Sequence, residues 1–228
     1  MGINKIFNKR TIKKIEDKVN LLGSSNKYDA LTLLGIRLIT SIFFFVFIFS
    51  MYDYGYIIAI VFVILYYFLF EYVMLDSKIK QREKKINNEA IYFFEVLTLS
   101  LQTGRNLAEA IEITVNSVDG ELSLEFKEAL RETGFGKSLT ESLNDMQKRI
   151  PSDSINNIIL ALTQANIYGS SIISTMYNQI DYLREKRKME IKAQISKIPT
   201  KISVISVFFF IPLILLIILG PVLLSFIG

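Results

Sequence analysis

ISVISVFFFIPLILLIILGPVLLSFI, Ile202 to Ile227, runs for 26 residues without one charged side chain. Roughly 20 apolar residues, each rising about 1.5 Å, cross the hydrocarbon core of a bilayer, so this run is long enough to span. The segment before it, REKRKMEIKAQISKIPTK (Arg184 to Lys201), is crowded with Lys and Arg. A basic stem feeding an uncharged run marks a membrane helix whose stem stays on the cytoplasmic side.

Two further apolar runs lie near the N-terminus. LITSIFFFVFIFSMY (Leu38 to Tyr52) follows ALTLLGI and Arg37, and YIIAIVFVILYYFLF (Tyr56 to Phe70) continues past Glu71 to Leu75. The link around Asp53, Tyr54 and Gly55 is so short that the two runs form an antiparallel helical hairpin, with spans at about 31–52 and 55–75. Lys5, Lys9, Arg10, Lys13, Lys14, Lys18 and Lys27 precede the first span, and Lys78, Lys80, Arg82, Lys84 and Lys85 follow the second. The hairpin link carries no Lys or Arg. This asymmetry places the N-terminus and the middle of the chain in the cytoplasm and the C-terminus outside. No small-x-small cleavage site follows the first run, and MGINKI lacks the hydroxyl residue of a myristoylation motif.

Arg37 and Glu71 interrupt these runs, each 17 positions from Tyr54. Equal separation from the turn gives equal depth, roughly 25 Å along each helix. Two readings stand: the pair meets across the hairpin, or each side chain snorkels separately to headgroup water.

The resulting division is a basic N-terminal tail (1–29), a membrane hairpin (30–75), a cytoplasmic helical domain (76–201) and a third span (202–227). The middle region lacks the alternation of a strand. In SINNIILALTQAN, Ile155, Ile158, Ile159, Leu162 and Ala165 form a helical stripe, and Ile173, Met176, Ile180 and Leu183 form another. The expected helices are 87–103, 106–117, 120–133, 138–149, 152–168 and 171–198, with Pro199 breaking or kinking the last at the membrane surface. The fold class is therefore all-α, three transmembrane helices with a cytoplasmic bundle of about six.

A weak repeat organises the bundle. GRNLAEAI starts at Gly104, GKSLTESL at Gly136 and GSSIISTM at Gly169, and the glycines are 32 and 33 residues apart. Such a period is that of stacked helical hairpins. Each Gly ends one helix in the left-handed region. A polar cap then opens the next: Ser138 with Glu141 as a capping box, Asn106 with Glu109 as its imitation. The apolar residues at +3 and +7 fall on one face and turn inward.

Chemistry is scarce. The chain has no Cys and no His, which removes disulfides, thiol nucleophiles, thiolate zinc sites and imidazole acid–base catalysis. TGFGKS (Thr133 to Ser138) imitates a phosphate loop, but Arg131 stands where the motif needs its first Gly, and a helix precedes it instead of a strand. Glu109, Glu112, Glu125, Glu128 and Glu132 recur at helical spacing and read as solvated faces. No catalytic residue, cofactor or metal site is expected. The pI of about 9.1 does not imply nucleic acid, because the basic residues flank membrane segments and lack interleaved aromatics. Membrane lipid or an acidic protein suits them better. Phe43, Phe44, Phe45, Tyr66, Tyr67 and Phe68 contact lipid or pack between spans. Candidate partner contacts are Arg105 and Lys137, one residue after a turn Gly, Arg149 at a helix end, and Arg184, Arg187 and Lys188 on the stem.

The order VLTLSLQTGRNLAEAI, GKSLTESL, a helix running to Gly169, a long basic helix, entry through IPTKI and exit through LGPVLL resembles the F domain of the type II secretion system F protein family. The resemblance covers about Glu89 to Leu224, and Ser142 departs from it where the family often has Ala. One such domain behind a two-span hairpin is similar in layout to the tight-adherence (Flp-type) pilus platform proteins. The resemblance implies a non-enzymatic inner-membrane platform. Its implied partners are a hexameric secretion ATPase on the cytoplasmic face, pilin or pseudopilin transmembrane helices, and a second copy or a sister platform protein. A long helix continuous with the third span would carry displacement into the membrane. The competing reading is a membrane-anchored scaffold or receptor unrelated to pili.

Overall fold

The computed structural model describes residues 9–24, 29–51, 55–168 and 172–227, and no strand occurs among them. The chain divides into two units, Met1–Ile180 and Asp181–Gly228.

The first unit opens with α1, Lys9–Asn20, a helix that the tail's charge concealed. Ile12, Ile15 and Val19 recur at spacings of three and four and, with Leu22, form an apolar stripe on this otherwise polar helix. The stripe packs with Ala30, Leu33, Leu34, Leu75 and Ile79 in a small separate core. Helix α2, Ala30–Met51, and helix α3, Gly55–Glu71, lie side by side as the hairpin. Phe44 packs between them, 5.8 Å from the Phe62 ring and 5.3 Å from Tyr66. Thr40 Oγ1 and Tyr66 OH share a hydrogen bond of 2.7 Å in the same seam. Phe43 and Phe68 point outward, 65% and 73% exposed, as lipid-facing side chains must. Tyr54 of the hairpin link lies outside the described residues.

The chain does not pause after α3. One turn of π-helix, Tyr72–Asp76, leads directly into α4, Ser77–Gln102. Sequence places the first bundle helix at 87; the structure starts it ten residues earlier, because Ile79, Arg82, Ile86 and Ala90 already follow a helical stripe. The bundle continues with α5 (Leu107–Ser117), α6 (Glu121–Gly134), α7 (Leu139–Gln147) and α8 (Asp153–Tyr168). Helix α4 packs on α5 and α6, α6 on α5 and α7, and α7 on α8. Phe93, Phe94 and Phe126 are wholly buried, and the Phe93 and Phe126 rings stack at 4.7 Å. The +7 residues of the repeat, Ile111, Leu143 and Met176, are all buried.

The turns follow from local chemistry. Gly104 and Gly136 take φ of +81° and +98°. After α6, Gly136 N–H donates to Thr133 O and Lys137 N–H to Glu132 O, a Schellman closure. Ser138 and Glu141 then form the reciprocal capping box of α7, and Asn106 caps α5 through Glu109 N–H. Every residue of TGFGKS is thus used in ending one helix and starting the next. Gly169 lies outside the described residues.

Helix α9, Ile172–Ile227, begins in the first unit and supplies all of the helix in the second. It narrows one expectation, a break or a kink at Pro199, by excluding the break. Pro199 does not break the helix; it lies inside it, as do Pro212 and Pro221. A proline ring removes one internal hydrogen bond at a cost of about 3 kcal/mol. Stopping the helix would strand up to four terminal carbonyls beside an apolar run that has nothing to offer them. Three helices, within Ala30–Ser50, Ala59–Gln102 and Ile172–Leu219, are long and apolar enough to cross a membrane.

Candidate functional site

Two ionic centres hold the first unit together, and neither has the form of a reaction centre. The first lies where the hairpin meets α1. Arg37 is 4% exposed within an apolar stretch. Its Nη1 stands 3.6 Å from Glu71 Oε2, its Nη2 donates to Tyr67 O, and its guanidinium lies 3.3 Å from the Tyr67 ring centroid. Glu71 has a closer partner that sequence did not suggest: Lys18 Nζ, at 2.7 Å, which also reaches Asp76 Oδ1 at 2.7 Å. Burial alone would lower the Lys18 pKa; hydrogen bonds to Asp76 and Glu71 outweigh it, and the net shift is upward.

The second centre is built on Arg82 and Glu125. Helix α4 buries Arg82 to 7% exposure, and α6 buries Glu125 to 1%. Arg82 Nη2 donates to Glu125 Oε1 at 2.6 Å, and Nε to Glu121 Oε2 at 3.3 Å. Its Nη1 donates to Leu21 O at 2.9 Å and also to Arg149 O. Glu125 Oε1 accepts from Ser24 N–H at 2.9 Å, and Oε2 accepts from Arg149 Nε at 2.8 Å. One carboxylate and one guanidinium therefore tie the segment after α1, the helices α4 and α6, and the turn between α7 and α8 to one another.

This corrects two sequence readings. Glu125 is not on a solvated face, because it shares its face of α6 with the buried Leu122, Phe126 and Ala129. Arg149 is not an outward contact residue; its side chain is 18% exposed and is occupied by Glu125 and, at 3.3 Å, by Glu132. The signal was present: Arg82 falls on the stripe of Ile79, Ile86 and Ala90, and a charge on an apolar stripe calls for a buried counter-charge.

A third carboxylate acts locally. Gly120 precedes α6 at φ +143° and has no side chain to cap it, so Glu89 Oε2 of α4 accepts from Leu122 N–H at 3.2 Å instead.

The remaining candidates lie on the surface. Arg105 is exposed. Lys137 is partly committed, bonded to Glu132 at 2.7 Å and Asp145 at 3.0 Å. On α9, Arg184 lies 3.5 Å from Asp181, Lys188 lies 3.5 Å from Glu185, and Arg187 is exposed. Pro199 carries a hydrogen bond on its carbonyl from Ser203 Oγ at 3.0 Å.

Helices α5 and α6 line an open groove of about 830 Å³. Val115 and Leu124 line it together with Glu109, Glu112 and Glu128. Among the described residues, no group of three His, Cys, Asp or Glu is placed to hold a metal ion. The charges of the two ionic centres neutralise one another.

Comparison with known families gives one match. The model of Type II secretion system, protein F, covers residues 93–220, from the core of α4 through the bundle and most of the third span. The chain belongs to the type II secretion system protein F family. The matched region holds Glu125, Arg149 and both described turn glycines; Arg82 and Glu89 lie just ahead of it. No match was found among the curated proteins or the solved structures compared with the chain. Membership in the F family makes this a membrane protein of the secretion and pilus platform type.

Proposed function

We propose that the chain is the inner-membrane platform of a tight-adherence (Flp-type) pilus machine, one that couples a cytoplasmic hexameric ATPase to the insertion of pilin. The observation that carries this reading is the F-family match across both the bundle and the third span, behind a two-helix hairpin. The charge pattern supports an N-terminus and bundle in the cytoplasm and a C-terminus outside. The role is mechanical and non-enzymatic. ATPase motion moves the bundle, and the spans guide pilin transmembrane helices from the bilayer into the fibre. The exposed residues Arg105, Arg184, Arg187 and Lys188, with the partly paired Lys137, are the proposed contacts for the ATPase or for anionic lipid. A second copy or a sister platform protein completes the membrane assembly, and a dimer or trimer suits a sixfold motor by symmetry.

The test is crosslinking and affinity purification of the tagged chain from its native membranes. A secretion ATPase and a prepilin in the eluate support the platform. Recovery of other proteins without either favours an unrelated scaffold. A flexible Gly-Ser insertion after Lys188 is expected to abolish pilus assembly while leaving the protein in the membrane; normal pili from that variant refute mechanical transmission through α9.

A further inference from the structure

The π turn between α3 and α4 has a geometric consequence. Ser77 N–H donates to Tyr72 O, five residues back. In an ordinary α-helix, residues five apart point about 140° away from each other. An i→i+5 turn stacks them on nearly one side. Glu71 and Asp76, at the two ends of the turn, are five apart, and Lys18 Nζ meets both carboxylates at 2.7 Å. The same reach is closed to a single ammonium when the turn is α-helical. Lys18 is itself positioned, because its neighbours Ile15 and Val19 are seated in the α1 core against Leu33, Leu34 and Leu75. Leu75, inside the turn, is 4% exposed beneath α1.

We propose that α1 is a clamp on this turn, in which Lys18 chelates Glu71 and Asp76, holds the wide register, and so sets the rotation of α4 about the axis of α3. Withdrawal of Lys18 leaves two carboxylates on one side without their shared cation, since Arg37, 3.6 Å from Glu71, pairs with Glu71 and not with Asp76. Return to α-helix separates them. It also turns everything after residue 76 by one residue's worth, about 100° with a 1.5 Å advance. The second ionic centre guards the same joint, because Arg82 grips Leu21 O just after α1 and Glu125 grips Ser24 N–H. Lifting α1 therefore frees the turn and the latch together. This inference stands on the geometry of the turn and does not depend on the platform reading.

The chain has no cysteine, so two introduced ones can be labelled alone. Phe68 and Lys80 are exposed and 12 positions apart. With the wide turn they lie about 20° apart around the helix, and without it about 120° apart, which lengthens their spin-label distance by on the order of 7 Å. The measurement is the label distance in the full chain reconstituted in nanodiscs. Lys18→Met is expected to give the longer distance, and Lys18→Arg to keep the shorter one. Asp76→Asn, which leaves α1 and its core intact, is expected to lengthen it as well, and serves if Lys18→Met does not fold. Deletion of Val73 removes the extra residue while keeping the downstream register, so Lys18→Met is expected to add nothing in that background. An unchanged distance in both Lys18→Met and Asp76→Asn overturns the clamp, as does an equal response to Lys18→Met with Val73 deleted.

Discussion

Replacing Glu125 by Gln keeps the shape of the side chain and removes its charge. Three hydrogen bonds end on that carboxylate, from Arg82 Nη2 at 2.6 Å, Arg149 Nε at 2.8 Å and Ser24 N–H at 2.9 Å. Glutamine offers one oxygen to three donors, and its own N–H₂ group turns a donor toward a donor. Two guanidinium groups are left in a pocket where Glu125 was 1% exposed. Breaking a buried ion pair from one side costs about 3–5 kcal/mol. Glu121 and Glu132, each 3.3 Å from one of the two arginines, soften the loss. The expected cost is therefore about 3 kcal/mol, the low end of that range.

For a chain of this size, each kcal/mol moves Tm by about 2–4 °C, so Glu125→Gln is expected to lower it by about 6–12 °C. The assay is thermal unfolding of the nanodisc-embedded chain by far-ultraviolet circular dichroism at one fixed scan rate, since unfolding from a membrane is read as a rate. Hydrogen exchange gives a second readout, because the Ser24 N–H then competes with two guanidinium groups for one oxygen and its protection falls. High salt is expected to leave the difference intact, as screening reaches a buried cluster weakly. A drop below about 3 °C, with Ser24 still protected, refutes a desolvated cluster.

Ser142 is 0% exposed, and its hydroxyl has no hydrogen-bond partner among the described residues. Ser142→Ala is expected to stabilise by about 1 kcal/mol, read as a higher Tm; a lower Tm refutes the buried orphan. At Gly120 a Cβ would lie 2.5 Å from Glu89 Oε2 at φ +143°. Gly120→Ala is expected to cost about 2 kcal/mol and to deprotect the Leu122 amide; wild-type stability refutes the cross-helix cap. The capping box gives a pH prediction. The backbone and then the side chain of Ser138 lower the Glu141 pKa, and Lys148 and then Lys137 lower that of Asp145. Carboxylates depressed in the fold contribute above their unfolded values and lose that contribution as pH falls through the folded ones. Protection of the α7 amides, corrected for intrinsic exchange, is therefore expected to fall below pH 4.5 and further below 3.8. Unchanged protection at lower pH counts against the cap.

The fold was legible wherever one side chain type has one physical outcome. Uncharged runs longer than a bilayer become spans, Gly at a helix end takes positive φ, and Ser138 with Glu141 closes a capping box. What escaped was the fate of charges. Arg149, Glu125, Arg82 and Lys18 have the composition of surface residues, and local sequence says nothing about a partner 24, 43 or 53 positions away. Helix α1 escaped for the same reason, since its apolar stripe is only a few residues wide and its target lies in other helices. At Pro199 the local rule allowed a break or a kink, and of these the break does not occur, because the helix continues through it.

The placement of those long-range charges follows a pattern of its own. The bundle core of Phe93, Phe94, Leu97, Ile111 and Phe126 is apolar and wholly buried, and so resists rearrangement. Charge is paired instead at the joints: a buried Arg37 with the half-buried Glu71, Lys18 and Asp76 where the hairpin becomes α4, and the buried Arg82 and Glu125 with a half-buried Arg149 where the segment after α1 meets the bundle. An apolar joint of similar volume would be as stable or more so, but close packing offers no single partner whose withdrawal releases it. Ion pairs with fixed hydrogen-bond geometry have one, and they let go as a unit once a partner is withdrawn. The proposed clamp on the turn after α3 uses that combination, an ionic joint that can be released beside an apolar core that stays packed.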